Sequence, residues 1–280
     1  MLEALDRYKK SHKGRLQWLQ TSEIKTTFKP THKDTTNSVR NYKKKISMLE
    51  DKITLCLTIG RRPDLLRSTL ESLKGLPQTP ILAINDFGDE ETNAVFREKC
   101  PNGRLIEPGH HLGHHRAVDL MYSHVDTPYI FHCEDDWRFS RTDFLQDALK
   151  ILEADTKVTS VHFRATDDIP LEDTARARIS TETINGISIE NLSAAHNEWY
   201  GFSFNPHVAK KLLWHELGEF SKFKKERHVS RLLKSQKRYM AFLMPEACRH
   251  IGDGRSTVEQ NNKLVKRFKN WVRDKTKSSR

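Results

Sequence analysis

Three carboxylates in a row, Glu134, Asp135 and Asp136, follow the run Tyr129-Ile130-Phe131 and stop at Trp137. The apolar run reads as a short buried strand, so the acids fall where a strand ends. Adjacent carboxylates repel one another and are costly to desolvate without partners. A divalent cation, alone or with a polyphosphate, offsets that cost through oxygen coordination. A solvated turn capping a helix offsets it too, and the flanking chain has to separate the two. Arg61 and Arg62 follow another apolar run, and a guanidinium fork suits phosphate oxygens. Asp86 follows a third; its carboxylate can accept from an N–H or close a turn with Phe87 and Gly88. His110, His111, His114 and His115 contain the i,i+4 spacing of a helical metal site. Pro108, Gly109 and Gly113 interrupt a helix there, which favours a loop beside an anion, with His114 or Arg116 toward phosphate.

The elements that must position these residues alternate. Residues 53–59 (ITLCLTI) read as a strand and 64–73 as a helix with Pro63 at its start. Residues 80–85 read as a strand, 90–100 as a helix, 104–107 as a short strand, 116–123 as a helix and 129–132 as a fourth strand. This rhythm predicts βαβ crossovers, an α/β fold and a mainly parallel central sheet. Ligands of such sheets lie beyond the carboxyl ends of the strands. Arg61, Arg62, Asp86 and Glu134 to Asp136 all fall at those ends, which favours the cation reading of the acidic triplet.

The net charge of +11 is unevenly placed. Residues 1–52 carry 13 Lys/Arg against 6 Asp/Glu, and residues 255–280 carry 9 against 2. Residues 53–254 carry 26 against 29, so the basic character belongs to the two ends. The expected organisation is a basic N-terminal extension and linker (1–52), a catalytic domain (53–254) and a basic C-terminal helix or tail (255–280). Such extensions suit peripheral contact with an anionic membrane or nucleic acid, or serve as solubilising tails. Cys56, Cys100, Cys133 and Cys248 are widely spaced, which argues against a zinc cluster or disulfide framework and for buried thiols. No apolar run approaches 18 residues and no signal-peptide pattern is present, so a cytoplasmic location is expected.

Six segments occur in one order: TIGRRPDLLRSTLESL (58–73), Asn85-Asp86, HLGHHRAVD (111–119), Glu134-Asp135-Asp136, ERHVSRLL (226–233) and His250-Ile251-Gly252. Together they resemble the GT-A fold glycosyltransferases, in particular the inverting, DxD-containing family 2 type. The resemblance spans residues 53–254 and implies a Rossmann-type single domain. It departs from the family pattern at Leu112, at Asp119 and at Arg227, where the family has Asn, Asn and a second acid. It implies that Asp136 and His250 bind Mn²⁺ or Mg²⁺, that Asp135 faces sugar hydroxyls and Glu134 the ribose. It implies that Asp86 meets a uracil-like base, while Thr58 and Arg62 meet base, ribose or phosphate. Glu226 is then the general base, with Glu198, beside Trp199 and Tyr200, as the second candidate.

The expected function is therefore metal-dependent transfer from a nucleotide-diphosphate sugar, UDP favoured, to an acceptor hydroxyl with inversion. The acceptor is a glycan, a lipid-linked sugar or another hydroxyl compound. Two alternatives compete: a metal-dependent phosphohydrolase using the histidine cluster with the acids, and a nucleic-acid-binding protein built on the basic ends, including a glycosyltransferase acting on modified DNA. The first leaves the Arg-Pro segment and Glu226 unexplained, and the second has few aromatics in its arms for base stacking.

Overall fold

The computed structural model describes residues 51–252. The expected terminal extensions, 1–52 and 255–280, lie outside the described residues apart from Asp51 and Lys52.

The strands are β1 (Ile53–Ile59), β2 (Ile81–Asn85), β3 (Arg104–Ile106), β4 (Tyr129–Glu134), β5 (Trp137–Phe139), β6 (Val158–His162), β7 (Ser180–Ile184), β8 (Ile187–Asn191), β9 (His207–Lys210), β10 (Tyr239–Leu243) and β11 (Cys248–His250). The helices are α1 (Pro63–Ser72), α2 (Glu90–Lys99), α3 (His114–Ser123), α4 (Leu145–Ala154), α5 (Asp173–Arg176), α6 (Lys211–Leu217) and α7 (Glu226–Ser235), with a 3₁₀ turn at Phe220–Lys222. Nine strands form one sheet in the order β3-β2-β1-β4-β9-β6-β10-β8-β7, and β11 pairs with β5 separately. Within the large sheet β8 and β9 run against the other seven, so it is mainly parallel.

Residues alternate between two buried faces along β1. Leu55, Leu57 and Ile59 pack with Leu66 of α1 and Phe96 of α2, while Cys56 packs with Val118 and Met121 of α3. A strand covered on both faces reads as a continuous apolar run, which is why 53–59 is so plain in sequence. α6 and α7 join α3 on the second face through Trp214, Val229 and Leu233. The four thiols are all buried and free. No helix of the described residues is long and apolar enough to cross a membrane.

Two boundaries differ from expectation by more than one residue. β4 runs on to Glu134, because Cys133 and Glu134 still pair with Leu57 and Thr58 of β1. α3 begins at His114, directly after Gly113, which takes φ 84° at the cap. The histidine cluster is thus divided: His110 and His111 lie in the loop, and His114 and His115 form the first helical turn.

Three other histidines stack across the sheet interior. The ring centroids of His132 on β4 and His207 on β9 are 5.4 Å apart, and those of His207 and His162 on β6 are 5.1 Å apart. Burial lowers all three pKa values, that of His207 to about 4, so the rings are neutral.

Candidate active site

The carboxyl ends of β1, β2 and β4 open into a cleft of about 680 Å³. Thr58, Arg62, Asp86, Glu134, Asp135 and Asp136 line it, joined by Glu226 and His250 from the C-terminal part of the chain.

The turn after β4 is tied down from α1. Thr69, on the buried face of that helix, donates its hydroxyl to the Asp135 carbonyl (2.9 Å) and accepts from the Trp137 amide (3.1 Å). Ser72 likewise accepts from the Phe139 amide at 3.0 Å. Asp135 is buried; one of its oxygens accepts from the Gly60 amide at 3.0 Å and the other from Arg62. The second arm of the Arg62 fork reaches Asp136, so a single guanidinium bridges both aspartates and offsets one of their two charges. Burial pushes Asp135 up to about 7 against the pull of Arg62 and Gly60, yet both of its oxygens accept hydrogen bonds, the geometry of an ionised group. Glu134 accepts from the Trp137 indole at 3.2 Å, and burial with the nearby Asp136 charge pushes it up to about 8.

Asp136 and His250 meet across the cleft floor. His250 Nε2 lies 3.0 Å from Asp136 Oδ2, brought there by the antiparallel pairing of β11 with β5, in which His250 faces Trp137. Burial acts to raise the Asp136 carboxyl, but the His250 hydrogen bond and the Arg62 charge outweigh it and hold the group below the ordinary range. Its other oxygen, Oδ1, is buried and has no hydrogen-bond partner. Gly252 leaves room beside this pair: a Cβ there would sit 2.8 Å from Asp136 Oδ2 and 3.0 Å from His250 Nε2. An orphaned carboxylate oxygen, an imidazole nitrogen and a space kept open by glycine suit a divalent cation that accepts oxygen and nitrogen. Among the described residues no third His, Cys, Asp or Glu completes such a set.

Asp86 shapes the opposite end. Its two oxygens accept from the amides of Leu112 (2.7 Å) and Gly113 (2.9 Å), and His111 Nδ1 lies 2.9 Å from Oδ2. The turn with Phe87 and Gly88 is closed by Asn85 instead, whose side-chain oxygen accepts from both amides at 3.0 Å. Asp86 therefore pins the loop before α3 and keeps only its remaining lone pairs for a ligand. Phe87 and His111 stack beside it with centroids 5.2 Å apart, and Arg61 caps the Phe87 ring at 4.6 Å.

Glu226 is the first residue of α7. Burial raises its carboxyl to about 7, against contacts from Ser203 and the Phe204 amide that favour the charged form. Its placement depends on Asp119, which accepts from the Trp214 indole and from the Phe220 and Ser221 amides, each at 2.8 Å. That grip holds the turn leading into α7, and it is the work of the aspartate at the position where the resemblance has asparagine. A second cavity, about 430 Å³, adjoins the cleft and shares Arg164, Asn205 and Glu226 with it.

Two sequence candidates lie off the cleft. Arg116 is exposed on α3, one residue from the inward-facing Ala117 and so turned about 100° away from it. His114 lines the cleft, but burial and the neighbouring His115 lower its pKa to about 4, so it offers phosphate no positive charge. Glu198 is paired with Arg231, and with Arg227 at 3.9 Å, and lines neither cavity, although Trp199 and Tyr200 line the second. Sequence reasoning missed Arg164, Asn205 and Thr69. Arg164 lies just past the carboxyl end of β6, so the strand-end rule that marks Arg62 and Asp86 also points to it. Thr69 was detectable as a polar residue on the apolar face of α1.

Comparison with protein-family models and with characterised protein sequences finds no match. Solved structures do match. The mannosyltransferase PcManGT from Pyrobaculum calidifontis, in complex with GDP-Man and Mn²⁺, superposes with a TM-score of 0.52 at 15% identity over 98% of this chain and 76% of its own. S. aureus TarS 1-349 superposes with a TM-score of 0.50 at 11% identity, covering 70% of this chain and 59% of that one. The fold is GT-A-like. In a GT-A-like domain the described cleft sits at the carboxyl ends of the parallel strands, where open α/β sheets bind their ligands.

Proposed function

We propose that this protein is a glycosyltransferase that moves a sugar from a nucleotide-diphosphate donor, UDP favoured, to an acceptor hydroxyl with inversion. The observation that carries the reading is the position of Glu226, a carboxylate with its pKa raised to about 7, in the wall shared by two adjoining cavities. A base that takes a proton from one substrate while the other departs needs that position, and a pKa near the working pH suits the task.

The donor occupies the larger cleft. Thr58 and the remaining acceptor capacity of Asp86 meet ribose and base, with Phe87 and His111 beside them. Arg62, whose fork bridges Asp135 and Asp136, turns to the diphosphate, while Asp135 and Glu134 meet sugar and ribose hydroxyls. Asp136 and His250 would hold Mn²⁺ or Mg²⁺, and the imidazole nitrogen favours Mn²⁺. The bound ion would supply positive charge against the departing diphosphate. PcManGT is in complex with GDP-Man and Mn²⁺, which supports the same donor class and metal here. In the transfer step the acceptor oxygen bonds to the anomeric carbon as its proton passes to Glu226. The bond from that carbon to the diphosphate breaks on the opposite face, and the diphosphate leaves as an anion. The acceptor hydroxyl belongs to a glycan, a lipid-linked sugar or another hydroxyl compound, and the basic ends, 1–52 and 255–280, provide peripheral contact with anionic membrane or nucleic acid.

A thermal-shift panel of UDP-, GDP-, dTDP- and CMP-sugars, with and without Mn²⁺, tests the reading, because a ligand that binds only the folded state raises its stability by mass action. One donor should stabilise the protein in a Mn²⁺-dependent manner, and silence across the panel would refute the assignment.

A further inference from the structure

The second cavity has a composition that selects its occupant. One side is apolar: Met240 and Phe242 on the interior strand β10, with Ile169 and Leu171 from the chain after β6. Trp199 and Tyr200 stand at its edge. Tyr200 takes φ 70°, rare for a bulky residue, and its carbonyl accepts from the Met240 amide at 3.0 Å. That hydrogen bond ties the Tyr200 backbone to β10 beside the cavity.

Most of the polar groups gather at the end shared with the cleft, where several are engaged and Arg164 Nε is buried without a partner. Arg164 donates to Asn205 at 2.7 Å and, at 3.2 Å, to the Asp168 carbonyl, and Ser203 contacts Glu226. A free oligosaccharide seated here would lay hydroxyls against the side formed by Ile169, Leu171, Met240 and Phe242, which offers them no side-chain partner, and each buried hydroxyl without one is costly. A single hydroxyl beside Glu226, carried on an apolar body, meets no such penalty.

We infer that the second cavity is the acceptor site and that the acceptor presents its reacting hydroxyl next to an apolar group, aromatic or alkyl, seated on Trp199 and Leu171. This rests on the transferase reading and narrows its acceptor class. The same chemistry is offered by an aromatic compound and by the first part of a lipid chain.

The test uses the full-length protein saturated with Mn²⁺ and the nucleoside diphosphate of the donor found by the panel. Dissociation constants for benzyl β-glucoside and methyl β-glucoside are measured by calorimetry, with octyl β-glucoside below its micellar concentration as a third probe. Burial of a ring or short chain should make the benzyl or octyl compound bind about tenfold tighter, or more, than the methyl compound. Tighter octyl binding assigns a lipid-borne acceptor, and tighter benzyl binding an aromatic one. Trp199→Ala and Leu171→Ser, both at partly exposed positions, should abolish most of that preference and leave donor affinity unchanged. If the three glucosides bind equally, or none binds, or both variants keep the preference, the inference falls while the donor assignment stands. A protein that binds no nucleotide sugar brings down the transferase reading instead.

Discussion

Glu226→Gln should make the protein more stable and less active at the same pH. The carboxyl is raised from 4.5 to about 7 chiefly by burial, so the fold disfavours its charged form. A carboxyl raised in the folded state destabilises most above its folded pKa, and the penalty fades as pH falls toward 4.5. At about 1.4 kcal/mol per pKa unit the full shift amounts to about 3 kcal/mol. The side chain keeps an edge on the solvent-filled cleft, so about 1–2 kcal/mol is the working figure. For a domain of this size that is a Tm gain of about 2–8 °C. Glutamine has the same shape, keeps an acceptor oxygen for Ser203 and never ionises. Thermal melts of the donor-free protein should therefore show the variant ahead at pH 8 and level with wild type near pH 4.5. Transfer should fall about 10²–10⁴-fold in the variant, while wild-type kcat/KM rises with pH through about 7 as the base ionises. A stability difference that does not change with pH, or a less stable variant at pH 8, would refute the buried-base reasoning. If Glu226→Gln stays active and Glu198→Gln is dead, the base is Glu198.

Asp136→Asn should abolish Mn²⁺-dependent donor turnover with little change in the far-ultraviolet circular dichroism, and unchanged turnover would sink the ligand assignment. Gly252→Ala should weaken Mn²⁺ binding, read by titration calorimetry, because its methyl would stand 2.8 Å from Asp136 Oδ2 and 3.0 Å from His250 Nε2. Asp119→Ala leaves three donors without their acceptor, so urea unfolding should show a loss of about 2–4 kcal/mol; a loss under about 0.5 kcal/mol would mean water replaces the carboxylate. His162 is held neutral by burial, so below pH 6.5 the unfolded chain takes up a proton that the fold refuses, and stability falls with pH. His162→Phe should therefore gain on wild type by about 1.4 kcal/mol for each pH unit below 6.5, and a difference that stays constant with pH counts against the neutral ring.

The part of the fold that reads directly from the sequence is its N-terminal half. β1, β2 and β4 are buried on both faces and so appear as mainly apolar runs, and α1 and α2 follow at short spacing. Past Trp137 the signal fades, because strands β5 to β11 are three to five residues long and several mix polar residues into the run, as in VTSVH (158–162), STETI (180–184) and ISIEN (187–191). The antiparallel entry of β9 between β4 and β6 joins distant stretches of chain, so no local pattern announces it. Arg116 shows the same limit at a single residue: its side chain points wherever the helix turns it.

Residue type and order along the chain determined which groups are available: acids at a strand end, a guanidinium fork, a late histidine followed by glycine and an acid opening a helix. Those properties are local, set by alternation, helix period and side-chain chemistry. Only the tertiary structure decided the partnerships. It set His250 against Asp136 through the β11–β5 pairing, gave Glu226 a raised pKa by burying it, and turned Glu198 toward Arg231. It also made Asp86 and Asp119 into anchors for loops on either side of α3. Burial and long-range contact are properties of the packed chain, and a carboxylate acquires its pKa and its task from what packs around it.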